Sequence, residues 1–403
     1  MFFSELSMAP ADAILGLTAA FKADTRTPKA NLGVGVFMDE SGRTPVLDVV
    51  RRAERALLEE EQTKTYLPIA GDPAFGKAVR QLVLGAEFCA DGSHGLATVQ
   101  ALGGTGALFL GARLLGTFRP GAKVWLPKPT WGNHRNIFCG AGLEIAEYPY
   151  YSTALRQVDA DAFIGALAEV APGDVVLLHA CCHNPTGADP DAATWARIAE
   201  TARKGGWLPF FDFAYQGFGD GPDADRAGLL EVLRAVPEAF VASSFSKNMG
   251  LYSERVGALT VVTADAHSAE ATLSQLRCIV RATSSNAQRH GGAIALKVLQ
   301  DSTLRSDWLR ELDGMRQHIV ASRTALVDGL RARRGDVDFG YLLRQKGMFS
   351  YCGLTDAQVN WLREEKAVYM VKGGRINVAG LLPSTLDFVC DSIAEAMGKN
   401  LPG

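Results

Sequence analysis

Asp174-Val175-Val176-Leu177-Leu178-His179-Ala180 is followed, three positions on, by His183-Asn184-Pro185-Thr186-Gly187. The first run is strongly apolar and reads as a buried strand. The second holds a proline and a glycine and breaks it. Outward from this pair the same rhythm recurs. Trp207 to Phe213 and Ala239 to Phe245 are further apolar strands downstream. Upstream, Leu96 to Leu102 is broken by Gly103-Gly104-Thr105-Gly106, ahead of a helical run from Ala107 to Leu115. Lys123 to Leu126 is a short strand that runs into Pro127 and Pro129. Residues 49–60 carry Val49, Val50, Ala53, Ala56 and Leu57 at helical spacing. Apolar strands alternating with helices predict a largely parallel α/β sheet covered on both faces.

After about residue 302 the rhythm changes. Leu304 to Arg333 reads as one long helix with Met315, Ile319, Leu326 and Leu330 on one stripe. Short strands at Met348–Cys352, Val368–Val371 and Arg375–Val378 follow, mixed with helices. This is the pattern of a second, smaller α+β unit. The segment up to about Thr44 also differs from the central repeats.

The composition excludes several classes. At 403 residues the chain is long enough for more than one core. Its 47% hydrophobic and 21% charged residues are those of a globular protein. A net charge of -3 supplies no basic field for nucleic acid or an acidic membrane. Seven cysteines without a Cys-x-x-Cys pair argue against a secreted disulfide framework and for a reducing cytoplasm. Met1-Phe2-Phe3-Ser4-Glu5 lacks the basic start and apolar run of a signal peptide, and no stretch has the length of a membrane span.

In an open α/β sheet, ligands gather beyond the C-terminal ends of the strands. Gly104, Thr105, Trp131, Asn184, Asp212, Tyr215, Ser244 and Lys247 all fall at such places. The glycine loop leads into a helix whose N-terminus favours an anion, although a simple tight turn explains it equally. It has neither the spacing of a dinucleotide fingerprint nor the lysine of a P-loop. Lys247 ends an apolar strand, where burial and a nearby cation would lower its pKa and make it a nucleophile. An ion pair is the plainer explanation. Arg255 is suited to hold a phosphate through two donors. Asp212 ends a run that should be buried, so its carboxylate needs a cationic or hydrogen-bonded partner. His179-x-Cys181-Cys182-His183 resembles metal ligands, but adjacent cysteines seldom hold one tetrahedral ion, and no metal is expected.

Eight motifs occur in one order: Asn31–Val36, Gly103–Leu108, Pro129–His134, His183–Gly187, Phe211–Phe218, Ser244–Asn248, Tyr252–Gly257 and Gly374–Asn377. From about residue 10 to its end the chain resembles the aspartate and aromatic amino acid aminotransferases of fold type I. The resemblance implies a large domain built on a mostly parallel seven-stranded sheet covered by helices, with a smaller α+β domain. It divides the chain into an arm over residues 1–12, a small domain from 13–44 and 315–403, and a cofactor domain over 45–314.

The resemblance further implies pyridoxal 5'-phosphate as cofactor. Lys247 matches the Schiff-base lysine. Asp212 matches the acid paired with the ring nitrogen, and His134 its partner. Tyr215 and Asn184 match the groups on the ring hydroxyl, Trp131 the ring that stacks on the cofactor, and Ala214 the residue beneath it. Gly104, Thr105, Ser244 and Arg255 match the phosphate cup. Tyr66 matches a tyrosine that reaches the neighbouring subunit's phosphate. Arg375, with Gly35, Trp131 and Asn184, matches the α-carboxylate site. Arg281 matches the arginine that takes the side-chain carboxylate from the other subunit. Since Tyr66 and Arg281 would serve a neighbour, a homodimer with shared sites is implied.

One stretch departs from the family. After Arg281 the family usually has an aromatic and then two prolines. Here the run is Ala282-Thr283-Ser284-Ser285-Asn286-Ala287-Gln288-Arg289-His290. Losing the prolines frees two φ angles and restores two N–H donors. The expected reaction is transamination between L-aspartate and 2-oxoglutarate. Aromatic amino acid transamination is the near alternative. Asn286 and Thr105 resemble the aspartate-preferring members of the family. A transcription regulator would need a DNA-binding module before Asn31, and a dehydrogenase the missing glycine fingerprint.

Overall fold

A computed structural model describes residues 2–9, 15–399 and 401. Part of the predicted arm, residues 1 and 10–12, lies outside them. The chain divides into two compact units, one of residues 44–318 and 345–347, the other of residues 1–43, 319–344 and 348–403.

The larger unit is built on a seven-stranded sheet. Its strands in chain order are β1 (Gly95–Leu102), β2 (Lys123–Lys128), β3 (Glu144–Pro149), β4 (Val175–His179), β5 (Leu208–Phe213), β6 (Ala239–Ser244) and β7 (Val256–Thr263). Their spatial order is β1-β7-β6-β5-β4-β2-β3. Only β7 runs antiparallel to its neighbours. Every residue of β4, β6 and β7 is buried, as strands covered on both faces must be. Helix α1 (Gly103–Phe118) packs on the sheet where Gly111 allows close approach: a Cβ there would lie 2.6 Å from Phe210 Cζ. Asp191 and Asp265 cap the helices Ala192–Gly205 and α2 (Ala266–Thr283) by accepting from Thr194 and Ser268 backbone N–H groups.

Three sequence expectations change here. Gly103-Gly104-Thr105-Gly106 is not a loop before a helix but the first turn of α1 itself; only Gly103, at φ +69°, keeps a left-handed backbone. Strands β3 and β7 were not expected. β3 is an edge strand with Glu144 and Glu147 along it, so its apolar signal is weak. β7 follows β6 through a compact loop instead of a helix, which breaks the strand–helix rhythm.

The smaller unit holds two short sheets. Ala30–Asn31 pairs in parallel with Val368–Tyr369, and Phe349–Tyr351 pairs antiparallel with Arg375–Asn377. The long helix α3 (Ser302–Arg333) buries Met315, Ile319, Leu326 and Leu330. No helix among the described residues is long and apolar enough to cross a membrane.

Candidate active site

Sheet order brings Asp212 and Lys247 to one end of the larger unit. Asp212, near the end of β5, stands opposite His179 on β4 and Ala242 on β6. Lys247 follows β6 in a loop that is pinned on both sides. Trp308 Nε1 donates to Asn248 O at 2.7 Å, and Asn248 Nδ2 donates to Gln216 O at 3.2 Å. Lys247 Nζ lies 5.1 Å from the centroid of the Tyr215 ring. Loss of hydration lowers the Lys247 pKa; Asp212 opposes this and the Arg255 charge adds to it.

The Asp212 carboxylate is used on one side only. Oδ2 is 2.9 Å from His134 Nε2, and His134 Nδ1 is 2.9 Å from Thr130 Oγ1. Oδ1 is buried with no hydrogen-bond partner. Burial pushes the carboxyl up, but the His134 hydrogen bond, with the nearby His134 and Lys247 groups, outweighs it, leaving Asp212 below its usual range. A buried anionic oxygen without a donor is costly. A protonated ring nitrogen of a bound group would satisfy it.

Behind the carboxylate is a ladder of rings. Trp131 meets His134 edge-on at 5.2 Å, His134 lies 5.2 Å from His179, His179 lies 4.3 Å from His183, and His183 stacks on Tyr150 at 3.9 Å. Burial, and then neighbouring His134, lower His179 to about 3. Burial, with His179 and His134, lowers His183 as well. Both rings are therefore neutral at neutral pH. The unfolded histidines titrate near 6.5. Below that pH the unfolded chain binds protons that the folded chain refuses, so stability falls by about 1.4 kcal/mol per pH unit for each ring. Asp189, raised by burial to about 6, binds its proton in the folded state and offsets one ring below that pH. The melting temperature is thus expected to fall as pH drops through 6.5 and to level off below about pH 6, where Asp189 and Asp225, both raised by burial, take up protons in the folded state; no fall through pH 6.5 would show the two rings are not buried neutral.

A second cluster forms around the start of α1. Arg255, at φ +55°, donates from Nη1 to Tyr252 O at 2.8 Å. A Cβ on Gly103 would come within 2.7 Å of Arg255 Nη2, and one on Gly104 within 3.3 Å of Ser244 Cβ. Glycine is thus required where backbone, guanidinium and Ser244 converge on a helix N-terminus. This is a cradle suited to a phosphate.

Of the other predicted residues, Tyr215 lies beside Lys247, Trp131 beside His134, and Thr105 in the first turn of α1. Asn184 and Tyr215 are buried, Ala214, Thr105 and Trp131 partly so. Tyr66 is 85% exposed, and Arg281 is exposed with Nη1 donating to Ser285 Oγ at 2.6 Å. Gly35 and Arg375 belong to the smaller unit. Arg375 is buried, donates from Nη2 to Gly33 O at 2.6 Å and lies 4.3 Å from the Phe349 ring centroid. A Cβ on Gly35 would meet Phe349 Cζ at 3.0 Å. Asn377 Nδ2 pins the same segment by donating to Val34 O and Val36 O, each at 2.7 Å.

His179-x-Cys181-Cys182-His183 splits in space. His179 and His183 join the ring ladder, while Cys181 and Cys182 gather with Asp225. That carboxylate already accepts from the backbone N–H groups of Gly217, Gly219 and Asp220. Thr130 was missed by sequence reasoning; its place four residues before His134 was the available signal.

The lysine, the half-used buried aspartate and the glycine–arginine cradle suit a phosphorylated, nitrogen-bearing cofactor. Comparison with known proteins agrees. The family described as aminotransferase class I and II matches residues 27–393. An aspartate aminotransferase from Escherichia coli is 45% identical over 98% of this chain and 100% of its own length. An aromatic-amino-acid aminotransferase from Pseudomonas aeruginosa is 42% identical over 98% of both. The crystal structure of an aromatic-amino-acid aminotransferase from Burkholderia pseudomallei, covalently bound to pyridoxal phosphate, is 47% identical, with a TM-score of 0.95 over 98% of this chain and 99% of that one. The chain belongs to the class I and II aminotransferases.

Proposed function

We propose that the chain is a pyridoxal 5'-phosphate-dependent aminotransferase that moves the amino group between L-aspartate and 2-oxoglutarate, with Lys247 as its covalent cofactor residue. The observation that carries this reading is the unpartnered Asp212 Oδ1, set in the same unit as Lys247 and a phosphate-suited cradle. The cofactor, when bound, supplies an electron sink for negative charge at the substrate Cα. Everything else is the work of this chain's residues.

Asp212, backed by His134 and the neutral His179, holds the ring nitrogen protonated. Tyr215 and Asn184 donate to the ring hydroxyl, Trp131 stacks on one face of the ring, and Ala214 lies beneath the other. Gly104, Thr105, Ser244 and Arg255 receive the phosphate. The Lys247 amine would move the proton at the substrate Cα, a task its lowered pKa favours. Arg375, with Gly35 in the same unit, would take the substrate α-carboxylate. The exposure of Tyr66 and Arg281 supports roles in the site of a second copy of the chain, and hence a homodimer. Arg281 would take the side-chain carboxylate there. Seven free cysteines support a cytoplasmic protein.

Aromatic amino acid transamination is the second reading. The run after Arg281 lacks the aromatic that the family usually has there, which leaves room for a larger side chain. The ratio of kcat/KM for aspartate, phenylalanine and tyrosine, each with 2-oxoglutarate, tests the choice. Aspartate is expected to lead. A phenylalanine value far above aspartate would establish the second reading.

A further inference from the structure

We infer that Gln288 is a positioning residue for the phosphate cradle, acting through the backbone of Arg255; this rests on the cofactor reading above. Gln288 falls in the stretch where family prolines are missing, so its backbone has lost the stiffness that two rings would supply. Hydrogen bonds hold the stretch instead. Gln288 Nε2 donates to Ala101 O at 2.8 Å and to Arg255 O at 2.7 Å. An amide nitrogen has two N–H donors, and these two carbonyls use both. Gln100 Nε2 donates in turn to Gln288 O at 2.5 Å.

The two gripped carbonyls are strategically placed. Ala101 lies near the end of β1, and Arg255 immediately precedes β7; the strands pair with Ala101 opposite Gly257. Gln288 therefore ties together the strand ends that frame the Gly103–Arg255 cradle. Arg255 has the left-handed backbone that a non-glycine residue resists. Such a conformer persists only where its surroundings hold it. The Arg255 carbonyl is one such restraint, and its backbone conformation aims the guanidinium at Gly103. Farther along, Asn286 Nδ2 donates to Leu67 O at 2.9 Å, so the stretch is also anchored beside Tyr66. Side-chain amides here replace the rigidity of the prolines.

The test compares pyridoxal 5'-phosphate with pyridoxal, which lacks the phosphate. Gln288→Met keeps the side-chain length and removes both donors. Dissociation constants of the two compounds are measured on cofactor-stripped full-length protein by quenching of tryptophan fluorescence. The constant for pyridoxal 5'-phosphate is expected to rise about tenfold, the size expected for two neutral hydrogen bonds. The constant for pyridoxal is expected to change less than twofold. An equal rise for both compounds, or no rise for either, would overturn the inference, because a purely structural tie does not distinguish them.

Gln288→Glu gives an independent arm should the methionine variant not fold. A carboxylate facing two carbonyls donates only when protonated. The constant for pyridoxal 5'-phosphate, relative to wild type at the same pH, is then expected to fall from pH 8 to pH 5.5, and a flat ratio would count against the role. Wild-type protein that fails to bind pyridoxal 5'-phosphate at all would sink the cofactor reading and this inference with it. Normal wild-type binding with unresponsive variants would sink the inference alone.

Discussion

Lys247→Ala protein is expected to transaminate aspartate at less than about 10⁻⁴ of the wild-type kcat/KM, because two roles vanish together. The covalent anchor for the cofactor is lost, and so is the base that moves the Cα proton. General acid–base catalysis alone is worth about 10²–10⁴ in rate. No neighbour replaces this amine. Tyr215, whose ring lies 5.1 Å away, offers a phenol and not an amine, so it can form no Schiff base. Lys247→Arg tests the point further: it keeps the charge, but a guanidinium with a pKa above about 12 cannot give up its proton. Borohydride treatment of the wild-type protein followed by peptide mass analysis should find the cofactor on Lys247. A colourless Lys247→Ala protein turning over at the native rate would end this mechanism.

The second large effect is at Asp212. Asp212→Asn preserves shape and removes the charge. The unpartnered Oδ1 would then no longer favour a proton on the ring nitrogen, and His134 would lose its anionic partner. Removing one member of a buried charge pair costs about 3–5 kcal/mol. At about 1.4 kcal/mol per factor of ten, kcat should fall by about 10²- to 4 × 10³-fold, with a much smaller change in cofactor affinity. Single-turnover kinetics with aspartate measure this step directly. A kcat within threefold of wild type would mean that Asp212 does not control the protonation of the ring.

Most of the sheet was legible because its central strands are fully buried. Val175–His179, Leu208–Phe213 and Ala239–Ser244 each read as an apolar run ended by a breaker, and each lies within the predicted bounds. The edge strand β3 and the antiparallel β7 escaped, one for its charges and the other for its helix-free connection. The glycine run misled in a different way. Four small residues look like a loop, but a helix tolerates them in its first turn, where the N–H groups have no intrahelical acceptor.

Chemistry-bearing residues were legible as types at strand ends, and the ordered motifs related them to a family. Their partners were not, except that the resemblance matched His134 to Asp212. Nothing local in Phe211-Asp212-Phe213 says that one carboxylate oxygen meets His134, 78 residues away, while the other stays empty. Nothing in Ala287-Gln288-Arg289 says that the amide reaches Ala101 across 187 residues and Arg255 across 33. The sequence by itself determined the alternation of strands and helices, the lysine, aspartate and arginines available for chemistry, and the missing prolines. Tertiary structure alone decided which polar atoms are paired, which rings are buried neutral, and what holds Arg255 in its left-handed backbone. The reason is range. Apolar periodicity is a property of adjacent residues, whereas a hydrogen bond acts over about 3 Å and joins whatever the order of strands brings together.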